Sequence, residues 1–437
     1  MNNIPVFAGI GFQYTALGLS PFTLNSFYFE VCNQAGCASS VTVSELTAQA
    51  LPEGVTPPTL NVLGATAIEV SWQPPRVPNG IITMYEIRRR LFNDFLTESI
   101  QHRNGPSVLS FPNSGLSPFT TYEYRLRVFN GAGNVFSEWV AERTLEDIPE
   151  GVSLPSFADS DIFARNVTAT WDPPTGPNGI IVSYRLEYRL PLDPLTNLPG
   201  IPITAADVPG NVTAATAVGL LPVTIYEFRV VAINGAGEGE GRFETVTTGE
   251  DVPEGLQDII VVGRTGISLT LTWSPPLTPN GAIREYLLYV DEDLVYRDSP
   301  RTYTVRRLQP FTNYTLQLAA CTSAGCTLGS MQSTTTAETA PFGQPTPTLT
   351  AQSPRTVEVI WNSPAQPNGI ITRYDILRQD NGFPSTLVVI SSTNDTSRRY
   401  LDTTVLPASD YQYAIRERLH VAASNVKRSV LLKELSS

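Results

Sequence analysis

The chain reads as all-β, a row of tandem seven-stranded Greek-key β-sandwiches, and three observations carry that expectation. The stretch W-Q-P-P-R-V-P-N-G-I-I-T-M-Y from Trp72 to Tyr85 returns at Trp171–Tyr184, Trp273–Tyr286 and Trp361–Tyr374, with Asn-Gly beginning seven residues after each Trp and Tyr thirteen after it. The four Trp residues lie 99, 102 and 88 residues apart, the period of one small domain and too long for a solenoid repeat. The 36 prolines and 31 glycines fall at punctuation points between β-branched and aromatic runs, as many short strands require.

The repeated stretch is a strand ending at an inward Trp, a proline-stiffened turn closed by Pro-Asn-Gly, and a second strand expected to start at Ile-Ile and to carry an inward Tyr. Proline fixes φ and withholds a donor where pairing should stop, and Asn-Gly accepts the left-handed conformations of a tight turn. In Ala67–Trp72 the alternation places Ile68, Val70 and Trp72 on one face, as a half-buried strand demands. Burying one such Trp removes roughly 150–250 Å² of surface, about 4–6 kcal/mol before entropy opposes it. Trp72, Trp171, Trp273 and Trp361 are therefore expected in the cores.

A second element, L-x-P-x-T-x-Y, runs from Leu116 to Tyr122, Leu220 to Tyr226 and Leu308 to Tyr314, and weakens to Val405–Tyr411, where Ser409 replaces Thr. It has the form of a tyrosine corner, whose phenol hydroxyl bonds back to the chain a few residues upstream. Tyr124, Leu126 and Val128 then alternate inward, and Asn130-Gly-Ala-Gly133 closes a turn.

In chain order the domains expected are a partial one at 1–49, complete ones at 50–145, 146–249 and 250–339, and one with an irregular C-terminal end at 340–437. The first 49 residues supply three strands, with Leu19–Thr23 leading into Ser26–Val31, then the cysteine turn, then Ser40–Ser44, and with Asn25 where the corner Tyr should stand. Without a facing sheet their apolar side is left uncovered, so the chain reads as a cut from something longer. The junctions are short and alike: Leu51-Pro-Glu-Gly54, Asp147-Ile-Pro-Glu-Gly151, Asp251-Val-Pro-Glu-Gly255 and Ala340-Pro-Phe-Gly343. Proline there restricts bending. In the last domain the alternation puts Glu417 inward, where Val128, Val230 or Leu318 stand in the others, and Leu419–Asn425 replaces the glycine turn. A buried unpaired carboxylate is costly, so this end is expected to be irregular.

The four cysteines form two local pairs, Cys32 with Cys37 and Cys321 with Cys326, each enclosing a four-residue turn after a strand. Cysteines facing across a hairpin can meet disulfide geometry, which implies an oxidising compartment. Free thiols remain the alternative, and zinc would lack two ligands, since His102 and His420 are remote. Asn166, Asn211, Asn313 and Asn394 each open an Asn-x-Thr acceptor for glycosylation. Against a secreted chain, Met1–Phe7 shows neither a basic nor an apolar leader region, and no apolar run is long enough to span a bilayer.

With 29 basic against 41 acidic side chains the net charge is −12, so nucleic acid and anionic membranes are not expected as targets of the chain as a whole. No nucleophile elbow, metalloprotease or phosphate-loop motif is present, and no cofactor is expected. Gly237-Glu-Gly-Glu-Gly241 carries carboxylates that would repel phosphate, and Asp291-Glu-Asp293 offers too few oxygens for calcium. One surface patch is a candidate: with Tyr85 and Ile87 inward, Arg88, Arg90, Arg125 and Arg127 would share an outward face and could take a sulfated glycan or acidic partner. Glu86 and Glu123 lie on that face too, so a self-paired charge ladder is the simpler expectation.

Trp before Pro-Pro, the L-x-P-x-T-x-Y corner and the Asn-Gly-Ala-Gly turn, in that order, resemble the fibronectin type III domain over essentially the whole chain. With P-N-G-I-I-x-x-Y and the cysteine pairs, the chain is similar to long extracellular arrays of this domain. The resemblance implies an extracellular or cell-surface location with a membrane-anchored parent, and a non-catalytic adhesion and spacer role in fibrous links of sensory cells, in hearing and vision, or of basement membrane. It implies protein or matrix partners and no membrane insertion by this chain. The alternative is a cytosolic scaffold of the muscle-protein kind built from the same domain.

Overall fold

The computed structural model describes residues 5–192, 196–380, 383–394, 396–419 and 433–435, and it is built of antiparallel strands. Among the described residues the helical segments are two 3₁₀ turns, Phe95–Thr97 and Asp159–Asp161. The first complete sandwich packs strands A (Thr59–Val62), B (Ala67–Ser71) and E (Ser110–Ser114) against C′ (Ser99–Asn104), C (Met84–Leu91), F (Thr121–Asn130) and a two-part G (Gly133–Phe136 and Val140–Arg143). The expected alternation is realised: Ile68, Val70 and Trp72 from B meet Tyr85 and Ile87 from C and Tyr124, Leu126 and Val128 from F in one core.

The same lettering serves the other sandwiches. The second has B at Asn166–Thr170, C at Ser183–Arg189, C′ at Ile203–Pro209, E at Ala214–Val218, F at Ile225–Asn234 and G at Gly237–Glu240 and Glu244–Thr247. In the third, C is Glu285–Val290, C′ is Asp293–Asp298, F is Asn313–Cys321 and G is Cys326–Leu328 with Gln332–Thr335. The fourth has C at Ile371–Asp380, C′ at Phe383–Asn394, F at Tyr411–Leu419 and G at Lys433–Leu435. In all four the repeated Trp is buried against the repeated Tyr, edge-on in the first three and tilted in the fourth, at centroid distances of 5.8, 5.6, 5.8 and 5.7 Å. Three corners are closed by backbone N–H groups donating to phenol oxygens: Ser117 to Tyr122 at 2.9 Å, Gln309 to Tyr314 at 2.8 Å and Leu406 to Tyr411 at 2.6 Å. Tyr226 is likewise buried.

Three expectations need correction. The C strand does not begin at Ile-Ile in the first three sandwiches but at Met84, Ser183 and Glu285, and only in the fourth at Ile371. The isoleucines belong to the turn, and Ile81 and Ile180 are exposed. In the N-terminal piece there are four strands rather than three: Leu24–Phe27 pairs Val43–Leu46, and Glu30–Asn33 pairs Gly36–Ser39. The interruption has a cause, because the Ser40 hydroxyl accepts the N–H of Phe29 in place of a ladder carbonyl. Ser137 does the same for Leu126 in the first sandwich, so the piece is an ordinary F/G hairpin whose Leu24, Phe29 and Val31 are exposed. The third correction concerns the arginines and follows below.

Glu417 stands where the alternation put it, opposite the fully buried Tyr374. Its Oε1 is buried without a hydrogen-bond partner among the described residues, and burial raises its pKa. His420 and most of the replacement turn lie outside the described residues.

Candidate functional site: the junctions and the arginine ladder

None of the motifs weighed for chemistry forms a catalytic constellation. Gly237–Glu240 is a G strand whose Glu238 and Glu240 pair with Arg185 and Arg229. Asp291 and Glu292, at φ of 49° and 72°, make the C–C′ turn, and the Asp291 carboxylate accepts the N–H of Thr315. His102 stacks on Phe111 at 4.2 Å. Among the described residues one Glu/Cys group, Glu30 with Cys32 and Cys37, comes close enough to hold a metal, but its two sulfurs are bonded to each other.

What the repeated stretch builds is a clamp on the segment that leads into each sandwich. The Asn of each Pro-Asn-Gly, at Asn79, Asn178, Asn280 and Asn368, takes the left-handed conformation at φ of 49°, 49°, 54° and 52°. Its Nδ2 donates to a junction carbonyl, that of Leu51, Ile148, Val252 or Ala340, each at 2.9 Å. Its own carbonyl accepts a junction N–H, from Ala50, Asp147, Asp251 or Thr339, at 2.8–2.9 Å. The residue one place earlier closes the grip from the other side: the side-chain oxygens of Gln49, Glu146, Glu250 and Glu338 accept the N–H of Ile81, Ile180, Ala282 and Ile370 at 3.2, 2.8, 2.9 and 2.9 Å. The Gly after Asn is needed for room rather than for φ. A Cβ on Gly80, Gly179, Gly281 or Gly369 would lie 2.2–2.8 Å from that Gln or Glu side chain.

The F/G turn joins the same clamp. Asn130 Nδ2 donates to the carbonyls of Ala50 and Pro78 at 2.6 and 3.0 Å, and Asn234 does so to Asp147 and Pro177 at 2.6 and 3.1 Å. In the third sandwich Thr322 takes over, its Oγ1 donating to the Asp251 carbonyl at 2.8 Å, while the N–H and hydroxyl of Ser323 both donate to Glu250. That turn is closed by the Cys321–Cys326 disulfide, with Cα atoms 4.0 Å apart, and Cys32–Cys37 closes the N-terminal hairpin in the same register. The Ser323 hydroxyl, then the N–H groups of Ala282 and Ser323, pull the Glu250 carboxyl down to about 2. Such stabilisation of the charged form is what oriented donors provide.

The second assembly lies on the outer face of the C, C′, F and G strands of the first sandwich. Arg88, Arg125 and Arg127 are there as expected, but Arg90 is 5 % exposed and is not an open cation. It pairs with Glu123 at 2.6 Å and lies between the rings of Phe95 and Trp139, 4.2 Å from each. Arg125 stacks between Trp139 and Phe136 at 4.5 and 4.0 Å, and Arg127 between Phe136 and Phe129 at 4.8 and 4.7 Å. The result is a continuous alternation of rings and guanidinium planes. Glu86, fully buried, takes Arg88 and Arg103 at 2.7 Å each, and Glu98 takes Arg88 and Arg125. Burial alone would raise the Glu86 carboxyl, but Arg88 and Arg103 outweigh it and hold it below the usual range. The self-paired ladder is what the sheet builds.

The corresponding face of the second sandwich has the opposite balance. Arg185 pairs with Asp207 and Glu238, Arg189 with Glu227, and Arg229 with Glu187 and Glu240. Five carboxylates thus face three arginines, whereas the first sandwich sets five arginines, including Arg103, against three glutamates. Of the acceptor asparagines, Asn211 is exposed in the C′–E turn, Asn313 is exposed at the start of F, and Asn394 is exposed at the end of C′, its Oδ1 accepting the Thr396 hydroxyl at 3.0 Å. Asn166 opens strand B and is half-buried.

Sequence reasoning missed Gln49, Glu146, Glu250 and Glu338, although each stands three residues before the junction Pro. It also missed Trp139, a fifth Trp outside the repeat register, with Phe95, Phe129 and Phe136 around it.

Sandwich topology, tyrosine corners and clamped lead-in segments define a tandem array of one domain type, and the chain belongs to the fibronectin type III domain family. That family's profile matches residues 55–143, 156–248 and 252–336. The chain is 37 % identical to usherin of Mus musculus over 91 % of its own length and 8 % of that protein, and 38 % identical to usherin of Homo sapiens over 86 % and 7 %. It is 27 % identical to phosphatidylinositol phosphatase PTPRQ of Homo sapiens over 94 % of this chain and 17 % of the relative. The chain therefore spans less than a tenth of the usherins it matches. Among the described residues no helix is long and apolar enough to cross a membrane.

Proposed function

We propose that the chain is a non-catalytic extracellular spacer and interaction segment, like the stretch of usherin it resembles, within a fibrous link at the surface of sensory cells or toward basement membrane. The observation that carries this reading is the junction clamp. At Gln49, Glu146, Glu250 and Glu338 the same Asn-Gly turn is bound to the segment that leads into its sandwich, so what is repeated along the chain is the anchoring of each lead-in segment on the domain that follows it. A spacer needs that, and it needs no converging acid, base or nucleophile. The two hairpin disulfides favour an oxidising compartment. Exposed Asn211, Asn313 and Asn394 are the acceptors we assign to glycosylation, with half-buried Asn166 a poorer one. Partners on this reading are proteins or matrix components. Non-reducing peptide mapping with glycan-site analysis, on the chain isolated from native tissue, tests it. Cys32–Cys37 and Cys321–Cys326 are expected oxidised and at least one exposed acceptor occupied. Free thiols with bare asparagines would move the chain to the cytosolic scaffold class.

A further inference from the structure

We propose that the arginine-ladder face of the first sandwich docks on the acidic C–F–G face of the second sandwich in another copy of this chain. Both faces occupy the same strands of the same fold and carry opposite surpluses of two charges: five arginines over three glutamates on one, five carboxylates over three arginines on the other. Each surplus is left after the internal pairs have formed, and among the described residues the ion pairs of each face stay within its own sandwich. On the acidic side Asp207, Glu238 and Glu240 keep about half or more of their side-chain surface in solvent, at 60, 47 and 57 %. Arg103, 54 % exposed, is the corresponding open cation on the basic side.

A free polyanion is the poorer occupant. The ladder guanidiniums already spend N–H groups on Glu86, Glu98 and Glu123, and a sulfate would have to displace those carboxylates. A protein face bearing the reverse surplus adds to the pattern without breaking it. The chain itself supplies such a face. Two copies related by a twofold axis would make the contact twice, first sandwich on second and second on first, which closes the assembly as a dimer.

Charge complementarity sets partner and register; affinity needs desolvated apolar surface as well. The C–C′ loop beside the ladder provides it. Leu96 is 97 % exposed and Phe95, stacked on Arg90, is 74 % exposed. The loop holding them is preorganised: Asp94 Oδ1 accepts the N–H of Leu96 at 3.0 Å, and the Thr97 hydroxyl accepts from Leu91 and donates to the Asp94 carbonyl, both at 2.9 Å. The Asn93 N–H ties the loop to the ladder through Glu123 at 3.2 Å. A loop whose backbone is already held costs less to order on docking, and the arginines beside it are a side-chain type in which interface energy concentrates.

Sedimentation velocity on the full chain tests the proposal. The expected result is a concentration-dependent dimer that weakens as salt rises from about 50 to about 500 mM, because exposed charges are screened over that range. Leu96→Asp, Arg103→Glu and the pair Glu238→Arg with Glu240→Arg should each raise the dimer Kd by roughly ten-fold or more. All are surface changes, and unchanged circular dichroism certifies the fold. Mixing the Arg103→Glu chain with the Glu238→Arg, Glu240→Arg chain should recover dimer beyond either alone, since each restores an opposite-charge contact with the other. A chain that stays monomeric to roughly 100 μM at low salt overturns the proposal. So does a dimer indifferent to both charge reversals.

Discussion

Replacing Asn79 separates two roles that the clamp combines in one residue. Asn79 sits at φ of 49° and its Nδ2 donates to the Leu51 carbonyl at 2.9 Å and to Glu53 Oε1 at 3.1 Å. Asn79→Gly keeps the left-handed backbone at no steric cost and removes both bonds. Because Leu51 is exposed, water can take over its carbonyl, and the loss should be about 1 kcal/mol. Asn79→Ala removes the same bonds and also forces a Cβ-bearing residue without a compensating side chain into the left-handed region, a further 1–2 kcal/mol or so, about 2–3 in all. The assay is amide hydrogen exchange in the full chain, read at Ala50, whose N–H donates to the Asn79 carbonyl at 2.9 Å, and at Glu53, whose N–H donates to Val77 at 2.8 Å. Exchange there should quicken roughly 5-fold for Gly and roughly 30- to 150-fold for Ala. Protection of Ile68 and Val70 in the core should be unchanged. If Asn79→Gly leaves Ala50 and Glu53 untouched, the side-chain grip carries no energy. If Gly and Ala behave alike, the left-handed backbone is not a separate cost.

Two further outcomes follow from carboxylates in opposite environments. Glu417 has a raised pKa because burial disfavours its charge, so its folded state is penalised as pH rises from the ordinary glutamate range through the raised value, and relieved below it. Glu417→Val should therefore stabilise the fourth sandwich by about 1–3 kcal/mol near pH 7, the cost of one unsatisfied buried polar group, and by less near pH 4. Exchange rates in Tyr411–Ile415 measure it, and destabilisation at neutral pH would refute it. Glu250 is the reverse case: its carboxyl is held down to about 2, so the clamp is complete above the ordinary glutamate range and fails only as pH falls toward that value. The amide of Ser323, followed by NMR through an acid titration, should move with a midpoint near 2, and a midpoint near the ordinary glutamate value would show that the clamp does not hold the charge.

The fold was legible because its signals are local. The alternation of Ala67–Trp72, the Pro-Pro stop and the Leu-x-Pro-x-Thr-x-Tyr corner each depend on residues within one strand or turn, and Glu417 inward follows from the same count. Less legible was anything requiring two distant segments to meet. Pro-Asn-Gly reads as a tight turn with left-handed backbone, but a single stretch does not show that the asparagine alone takes that conformation while the glycine makes room for a Gln or Glu some thirty residues earlier. Arg90 was placed on the outer face by parity, correctly as to direction. Its burial depends on Phe95 from the C–C′ loop and Trp139 from the G strand, which parity along a single strand does not contain.

The division between repeated and unrepeated positions then has a physical meaning. A clamp must present the same donors and acceptors at every junction, because backbone groups are the same whatever the side chains, and this is why Asn-Gly and the Gln or Glu before the junction Pro recur where neighbouring residues do not. The third sandwich tests the point within the chain. It lacks the F/G asparagine, yet Thr322 and Ser323 in a disulfide-closed turn still reach Asp251 and Glu250, so the contact is kept while its chemistry changes. The outer sheet faces show the converse, with strand positions kept and charge reversed from the first sandwich to the second. Anchoring the lead-in segment of each sandwich constrains the first set of residues; the second set is where one domain of the array can be told from another, and that is where recognition has to be sought.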